Sequence, residues 1–123
     1  MMDSIATNFQ IDENRIYMCG ISAGATMAYY MACRTDRLAA FGSVAGAMSK
    51  VNYQNCAPSH PIPLIDFRGT DDTVGPWNGD INTEGIETII SFWVNKNMLI
   101  RFFPQDNSTY TRHTQLIYSQ KYL

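Results

Sequence analysis

The sequence is poor in histidine and cysteine, has no basic block and contains no long hydrophobic run. Nine Lys and Arg stand against eleven Asp and Glu, a net charge of −2. The cations are scattered, so nothing neutralises a phosphate backbone and no nucleic-acid partner is expected. No apolar stretch reaches the ~20 residues that cross a bilayer, so no membrane association is expected either. The opening residues, MMDSIATNFQ, lack the positive flank and apolar centre of a signal peptide. Three cysteines, Cys19, Cys33 and Cys56, lie too far apart for the paired short spacings of a zinc site, and an odd count cannot close into disulfides alone. No structural metal is expected. In an oxidising compartment Cys33 and Cys56 are the pair to consider first, because Cys19 falls in an apolar strand-like run where a thiol packs as a small hydrophobe. The two histidines, His60 and His113, are the scarcity that bears most on chemistry.

What is present suffices for one compact core. The 123 residues are 46% hydrophobic, which suits a single domain over 1–123. Met2, Ile5, Ala6 and Phe9 recur at helical spacing, IDEN supplies turn residues, and RIYMCG reads as a short buried strand. After Gly24 a run of helix formers without proline predicts a helix to about Arg34. AAFGSVAGA is of strand length, NYQNCAPSHP reads as a polar loop, and PIPLIDFRG as a strand closed by Gly69. The loop TDDTVGPWNGD follows. Ile86, Ile89, Ile90 and Trp93 then predict a helix from about Thr83 to Asn97, with Asn82 or Thr83 as N-cap. The tail IRFFPQDNSTYTRHTQLIYSQ reads as two extended segments around PQDN. Strands alternating with helices predict an α/β fold with a mostly parallel sheet, whose ligands gather at the carboxyl ends of the strands.

Two features fall at such ends. Gly20-Ile21-Ser22-Ala23-Gly24 fits G-x-S-x-G, in which a serine occupies a strained turn and its flanks are small so that strand and helix approach closely. There the hydroxyl of Ser22 projects outward as a candidate nucleophile, and the N–H of Ala23 can face the oxyanion of a tetrahedral intermediate. A serine hydroxyl needs a histidine to take its proton and a carboxylate to orient that histidine. Asp72, in the loop after the next clear strand, has the serine-then-acid order; Asp71 beside it, Asp66 in the strand and Asp80 farther on are the competing carboxylates, and an aspartate here also serves simply to cap a turn. His60 precedes the acid in the chain and reads as a structural or surface residue. His113 has the right order but sits in a Thr- and Arg-rich extended run instead of a glycine loop.

These segments, NFQIDENRIYMCGISAGATMAYYMACRTDRLAAFGSVAGAM and HPIPLIDFRGTDDTVGPWNG, resemble the secreted polyhydroxybutyrate depolymerase and feruloyl esterase-like branch of the α/β-hydrolases, over about Phe9 to Asn97. The resemblance implies a partial α/β-hydrolase fold in which Ser22 is the nucleophile and Asp72, not Asp71, the acid. It also implies an extracellular or periplasmic location, an ester substrate such as a polyester oligomer or esterified polysaccharide, and no cofactor. Arg68 stands where that branch usually has histidine, Ala25 where glycine is common, and Met98 where a cysteine is common. The branch carries its second oxyanion donor upstream of the position of residue 1 and its histidine in a glycine-rich loop downstream of Leu123, so the chain is expected to be the central piece of a hydrolase and inactive alone. Two other readings remain open: a serine peptidase of the prolyl oligopeptidase kind, and a noncatalytic truncated paralogue.

Overall fold

The computed structural model describes residues 2–97. A short helix, α1 (Met2–Ala6), and a single 3-10 turn (Glu13–Arg15) lead into β1 (Tyr17–Ile21). Then come α2 (Ala23–Ala32), β2 (Ala40–Val44), α3 (Lys50–Gln54), β3 (Leu64–Phe67) and α4 (Ile86–Asn97). The three strands form one parallel sheet in the order β1-β2-β3, so this is a partial α/β fold of the kind the alternation predicts.

The register determines which side chains share a face. Met18 pairs with Phe41 and Phe41 with Leu64; Gly20 pairs with Ser43 and Ser43 with Asp66. This face is covered. Helix α2 lays Ala25, Ala28, Tyr29 and Ala32 on it, and α4 adds Ile86, Ile89, Ile90 and Trp93, all buried. Both sets follow the i, i+3, i+4, i+7 stripe of a helix with one apolar side. Small alanines let α2 lie close, and the gap beyond them is filled by aromatic rings: Phe41 meets Tyr29 and Trp93 edge-on at 5.3 and 5.0 Å between centroids. Asn97 closes the far end. Its amide accepts from the Ile62 N–H and donates to the Ile62 carbonyl, both at 2.8 Å, which satisfies the one N–H available between Pro61 and Pro63.

Among the described residues the opposite face is largely uncovered. Ile21, Val44 and Phe67 form one row across the sheet and Cys19, Gly42 and Ile65 the next. Ile21 is 69% exposed and Val44, Ile65 and Phe67 about 40%. A parallel sheet is ordinarily buried on both faces.

Two expectations are corrected. Residues 50–54 are helical where part of this stretch reads as loop: Ser49 accepts from the Asn52 N–H and supplies a side-chain cap. Helix α4 starts at Ile86, too far along the chain for Asn82 or Thr83 to be its N-cap; both lie in a preceding turn, where the Asp80 carboxylate accepts their N–H groups at 2.7 Å. Its first turn starts instead on the carbonyl of Gly85, which accepts from Ile89. The two extended segments expected over residues 100–120 lie outside the described residues.

Cys33 and Cys56 form a disulfide across 23 positions, while Cys19 is free and exposed on the largely uncovered face, not packed away as a small hydrophobe. The disulfide ties the end of α2 to the segment after α3. Closing a loop of this size constrains the unfolded chain by about 3 kcal/mol. Replacing both cysteines with serine should therefore lower the unfolding free energy by about that amount in urea titrations; an unchanged midpoint would show that the link adds nothing to stability.

Candidate active site

Ser22 joins β1 to α2 with φ 52° and ψ −117°, a conformation that costs a non-glycine residue roughly 1–3 kcal/mol. It is held from both sides. The Ser22 N–H donates to the Val44 carbonyl at 2.9 Å, continuing the sheet, while its own carbonyl accepts from Thr26 at 3.0 Å and starts the helix. A serine at a helix N-cap ordinarily turns its oxygen onto an N–H of the first turn. Ser22 makes no such bond, and its side chain is exposed. Ala23 is the first residue of α2, so its N–H is among those without an intrahelical acceptor.

The glycines on either side have different roles. A Cβ on Gly20 would lie 2.4 Å from the Gly24 carbonyl carbon and 2.8 Å from the Ala25 nitrogen, whereas a Cβ on Gly24 would meet nothing within 4 Å. Strand and helix thus require glycine at 20 and not at 24, correcting the view that both flanks must be small. A similar approach at Gly46, where an added Cβ would lie 2.5 Å from the Ala25 Cβ, seats the loop after β2 on the same turn. That loop contains the other non-glycine residue with positive φ among the described residues, Ala45 at 49°, whose N–H donates to the Phe67 carbonyl at 2.9 Å.

Asp72 lies five residues beyond β3, at the same end of the sheet as Ser22. With β2 between them, β1 and β3 are about 10 Å apart. One carboxylate oxygen, Oδ1, accepts from the N–H groups of Val74 and Gly75 at 2.8 and 2.9 Å; Oδ2 has no hydrogen-bond partner among the described residues. The amides of Gly75 and Val74, aided by the positive charge of Arg68, hold the Asp72 carboxyl below the ordinary aspartate value. The turn-capping role is therefore real and leaves one oxygen available. Asp71 is exposed and its carboxylate has no partner among the described residues. Asp80 holds its own turn in the same way, its Oδ1 accepting from the N–H groups of Asn82 and Thr83.

Asp66 is buried beneath this end of the sheet. Its Oδ2 accepts from the Arg68 Nε at 2.9 Å, and the Arg68 Nη2 donates to the Tyr29 hydroxyl at 3.4 Å. Burial, with Asp66 close by, pushes the Tyr29 hydroxyl well above the usual tyrosine range. This link between β3 and α2 was not anticipated from sequence. The signal available was an Asp-x-Arg pair alternating onto the inner face of a short strand.

His60 lies at the opposite end. Its Nε2 is 3.3 Å from the Leu38 carbonyl and its Nδ1 3.3 Å from the Ser59 hydroxyl; a carbonyl only accepts, so Nε2 carries the proton. Both neighbours precede strands whose far ends lead to the site, a strand length of roughly 15 Å away. His113 lies outside the described residues. Among those described, no group of three or more His, Cys, Asp or Glu is arranged to hold a metal ion, and no helix is long and apolar enough to cross a membrane.

The arrangement is a parallel α/β sheet carrying an exposed serine on a strained strand-to-helix turn and a carboxylate at the same rim. No family profile matches the chain. A stretch of 90 residues, 71% of the chain, is 36% identical to feruloyl esterase B of Piromyces equi and spans 17% of that protein's length.

Two substitutions test the geometry. Gly20→Ala should destabilise by roughly 1–3 kcal/mol or more, because backbone atoms block the added methyl. Gly24→Ala should be neutral or up to about 1 kcal/mol stabilising; equal effects in denaturant titrations would refute the asymmetry. For Asp72, the depressed pKa means its contribution to the loop is complete above the 3.8 of an ordinary aspartate and is lost as pH falls through the lower folded value. Asp72→Ala should speed amide exchange at Val74 and Gly75, whereas Asp72→Asn, which keeps Oδ1, should leave both protected at neutral pH. Exchange accelerating already at pH 5 in the unsubstituted chain would contradict this assignment.

Proposed function

We propose that the chain is the central part of a serine-dependent carboxylic-ester hydrolase of the α/β-hydrolase type, in the branch of polyhydroxybutyrate depolymerases and feruloyl esterases. One observation carries the reading: Ser22 occupies an N-cap position in a strained conformation, yet leaves its hydroxyl exposed and uncapped. In this mechanism Ser22 Oγ attacks the ester carbonyl carbon as a histidine takes its proton. The Ala23 N–H donates to the oxyanion that forms. Collapse expels the alcohol, which receives the proton from the histidine, and water then attacks the acyl-serine to release the acid and restore Ser22. Asp72, through Oδ2, holds the histidine in the productive tautomer. Side chains and water suffice for every step.

The histidine comes from outside the described residues, since His60 is at the wrong end of the sheet. The apolar sheet face that the described residues leave largely uncovered supports a further layer of the fold outside them, which would bury it. The similarity to feruloyl esterase B favours an ester over a peptide bond, with an esterified polysaccharide or a polyester oligomer as substrate. The Cys33–Cys56 disulfide suits a secreted or periplasmic setting.

The test is turnover of p-nitrophenyl butyrate beside a panel of dipeptide amides. The 123-residue chain should stay near background, and a chain extended at both ends should hydrolyse the ester. In that longer protein Ser22→Ala should abolish activity, and Asp72→Asn should lower kcat by roughly ten-thousandfold. Robust turnover by the short chain, lost in His113→Ala, would instead make His113 the base and the 123 residues self-sufficient.

A further inference from the structure

Helix α2 reads AGATMAYYMA, and Thr26 is its one β-branched residue. By helix propensity alone an alanine would serve better at this position. What the threonine adds is a side-chain oxygen. Its Oγ1 accepts from the Ala47 N–H at 3.1 Å, across 21 positions of chain, while its own N–H donates to the Ser22 carbonyl at 3.0 Å. One residue thus holds the turn after β1 through its main chain and the turn after β2 through its side chain.

Those two turns are built alike. Ile21 and Val44 are the last registered pair of β1 and β2, and the residue after each, Ser22 or Ala45, has positive φ, 52° and 49° respectively. Each donates its N–H at 2.9 Å to the next strand, Ser22 to the Val44 carbonyl and Ala45 to that of Phe67. Two strained residues therefore follow neighbouring strands at one rim of the sheet, and such strain persists only where the surroundings fix it. The sheet fixes the entry to each turn. The exit from the Ser22 turn is the first turn of a helix, which is prone to fray. Gly46 is already pressed against that helical turn, since a Cβ there would lie 2.5 Å from the Ala25 Cβ. Packing alone sets a distance; the Thr26–Ala47 hydrogen bond also sets the register of the two turns.

We propose that Thr26 is a positioning residue for Ser22: its Oγ1 pins the turn after β2 to the first turn of α2, so that the serine, the Ala23 N–H and the neighbouring loop are held as one unit. This rests on the reading of Ser22 as the nucleophile. Ala23 belongs to the same helical turn, so loosening that turn moves nucleophile and oxyanion donor together. A misplacement of about 1 Å can cost a reaction roughly a hundredfold. A turn that is displaced for part of the time should cost about tenfold, and in kcat instead of KM, because the Thr26 oxygen is spent on Ala47 and not on substrate.

Two variants test this. Thr26→Val keeps the shape and removes the acceptor, whereas Thr26→Ser keeps the acceptor. In the chain extended at both ends, Thr26→Val should lower kcat for p-nitrophenyl butyrate about tenfold with KM changed less than about twofold, and Thr26→Ser should restore kcat to within about threefold. In the 123-residue chain, amide exchange at both Ser22 and Ala47 should quicken by about fivefold or more in Thr26→Val and stay unchanged in Thr26→Ser. An unchanged kcat in Thr26→Val, equal losses in the two variants, or quickened exchange at Ala47 alone would each overturn the proposal. Ester turnover that survives Ser22→Ala would overturn the catalytic reading and not the coupling of the turns, which the exchange measurement decides by itself.

Discussion

Gly20 and the first turn of α2 approach so closely that a single methyl group would overlap the backbone of Gly24 and Ala25, and the rest of the site follows from that contact. A strand ending this near the helix it feeds must reverse within one residue, and the residue that does so is Ser22, at positive φ. The strain persists because the ends of the turn are fixed independently. Its N–H belongs to the sheet through Val44 and its carbonyl to the helix through Thr26. With both backbone groups committed, the side chain is turned away from the helix and cannot act as a cap. Exposure of the hydroxyl is thus a geometrical result of packing β1 against α2, and it requires no ligand to maintain it.

Much of this was legible in the sequence, for local reasons. The alternation of short apolar runs with helical periodicity gave three strands and two long helices, since those patterns report burial on a sheet or along a helix stripe. The turn at Ser22 was legible because only a few residue types tolerate such a junction. What escaped depended on partners distant in the chain. Asn97 reads as an ordinary polar residue at a helix end until Ile62 is seen beside it between two prolines. The start of α4 was misplaced because Asp80 folds Asn82 and Thr83 into a turn of its own ahead of the helix, a local side-chain-to-backbone motif that composition does not resolve. Helix α3 was missed because five residues carry too little periodicity to register. The choice among Asp71, Asp72 and Asp80 came from chain order and resemblance; Asp72 and Asp80 each hold their own turn through one carboxylate oxygen, so hydrogen bonding alone does not separate them.

The sheet is strongly two-sided. Its inner face combines an aromatic cluster with a buried Asp66–Arg68 pair whose desolvation is offset by mutual attraction and by the Tyr29 hydroxyl; removing either charge would leave the other uncompensated. Its outer face has no polar rows at all near the carboxyl end, where Ile21, Val44 and Phe67 lie side by side. The same strand ends therefore carry Ser22 and Asp72 at the rim and an apolar surface behind it.

The Cys33–Cys56 link also has a mechanical side. It encloses β2 and α3 in a covalent ring, and β2 is the strand to which both others are bonded. Tension applied at the ends of the chain bypasses the ring, travelling through the sulfur atoms while the central strand carries none of the load. The sequence separation of 23 withholds ~80 Å of contour from any extension. A translocating motor drawing on one end could peel away β1 or β3, yet would meet the middle of the sheet as a knot-like obstacle that must pass through the pore doubled or be cut first by a reductant.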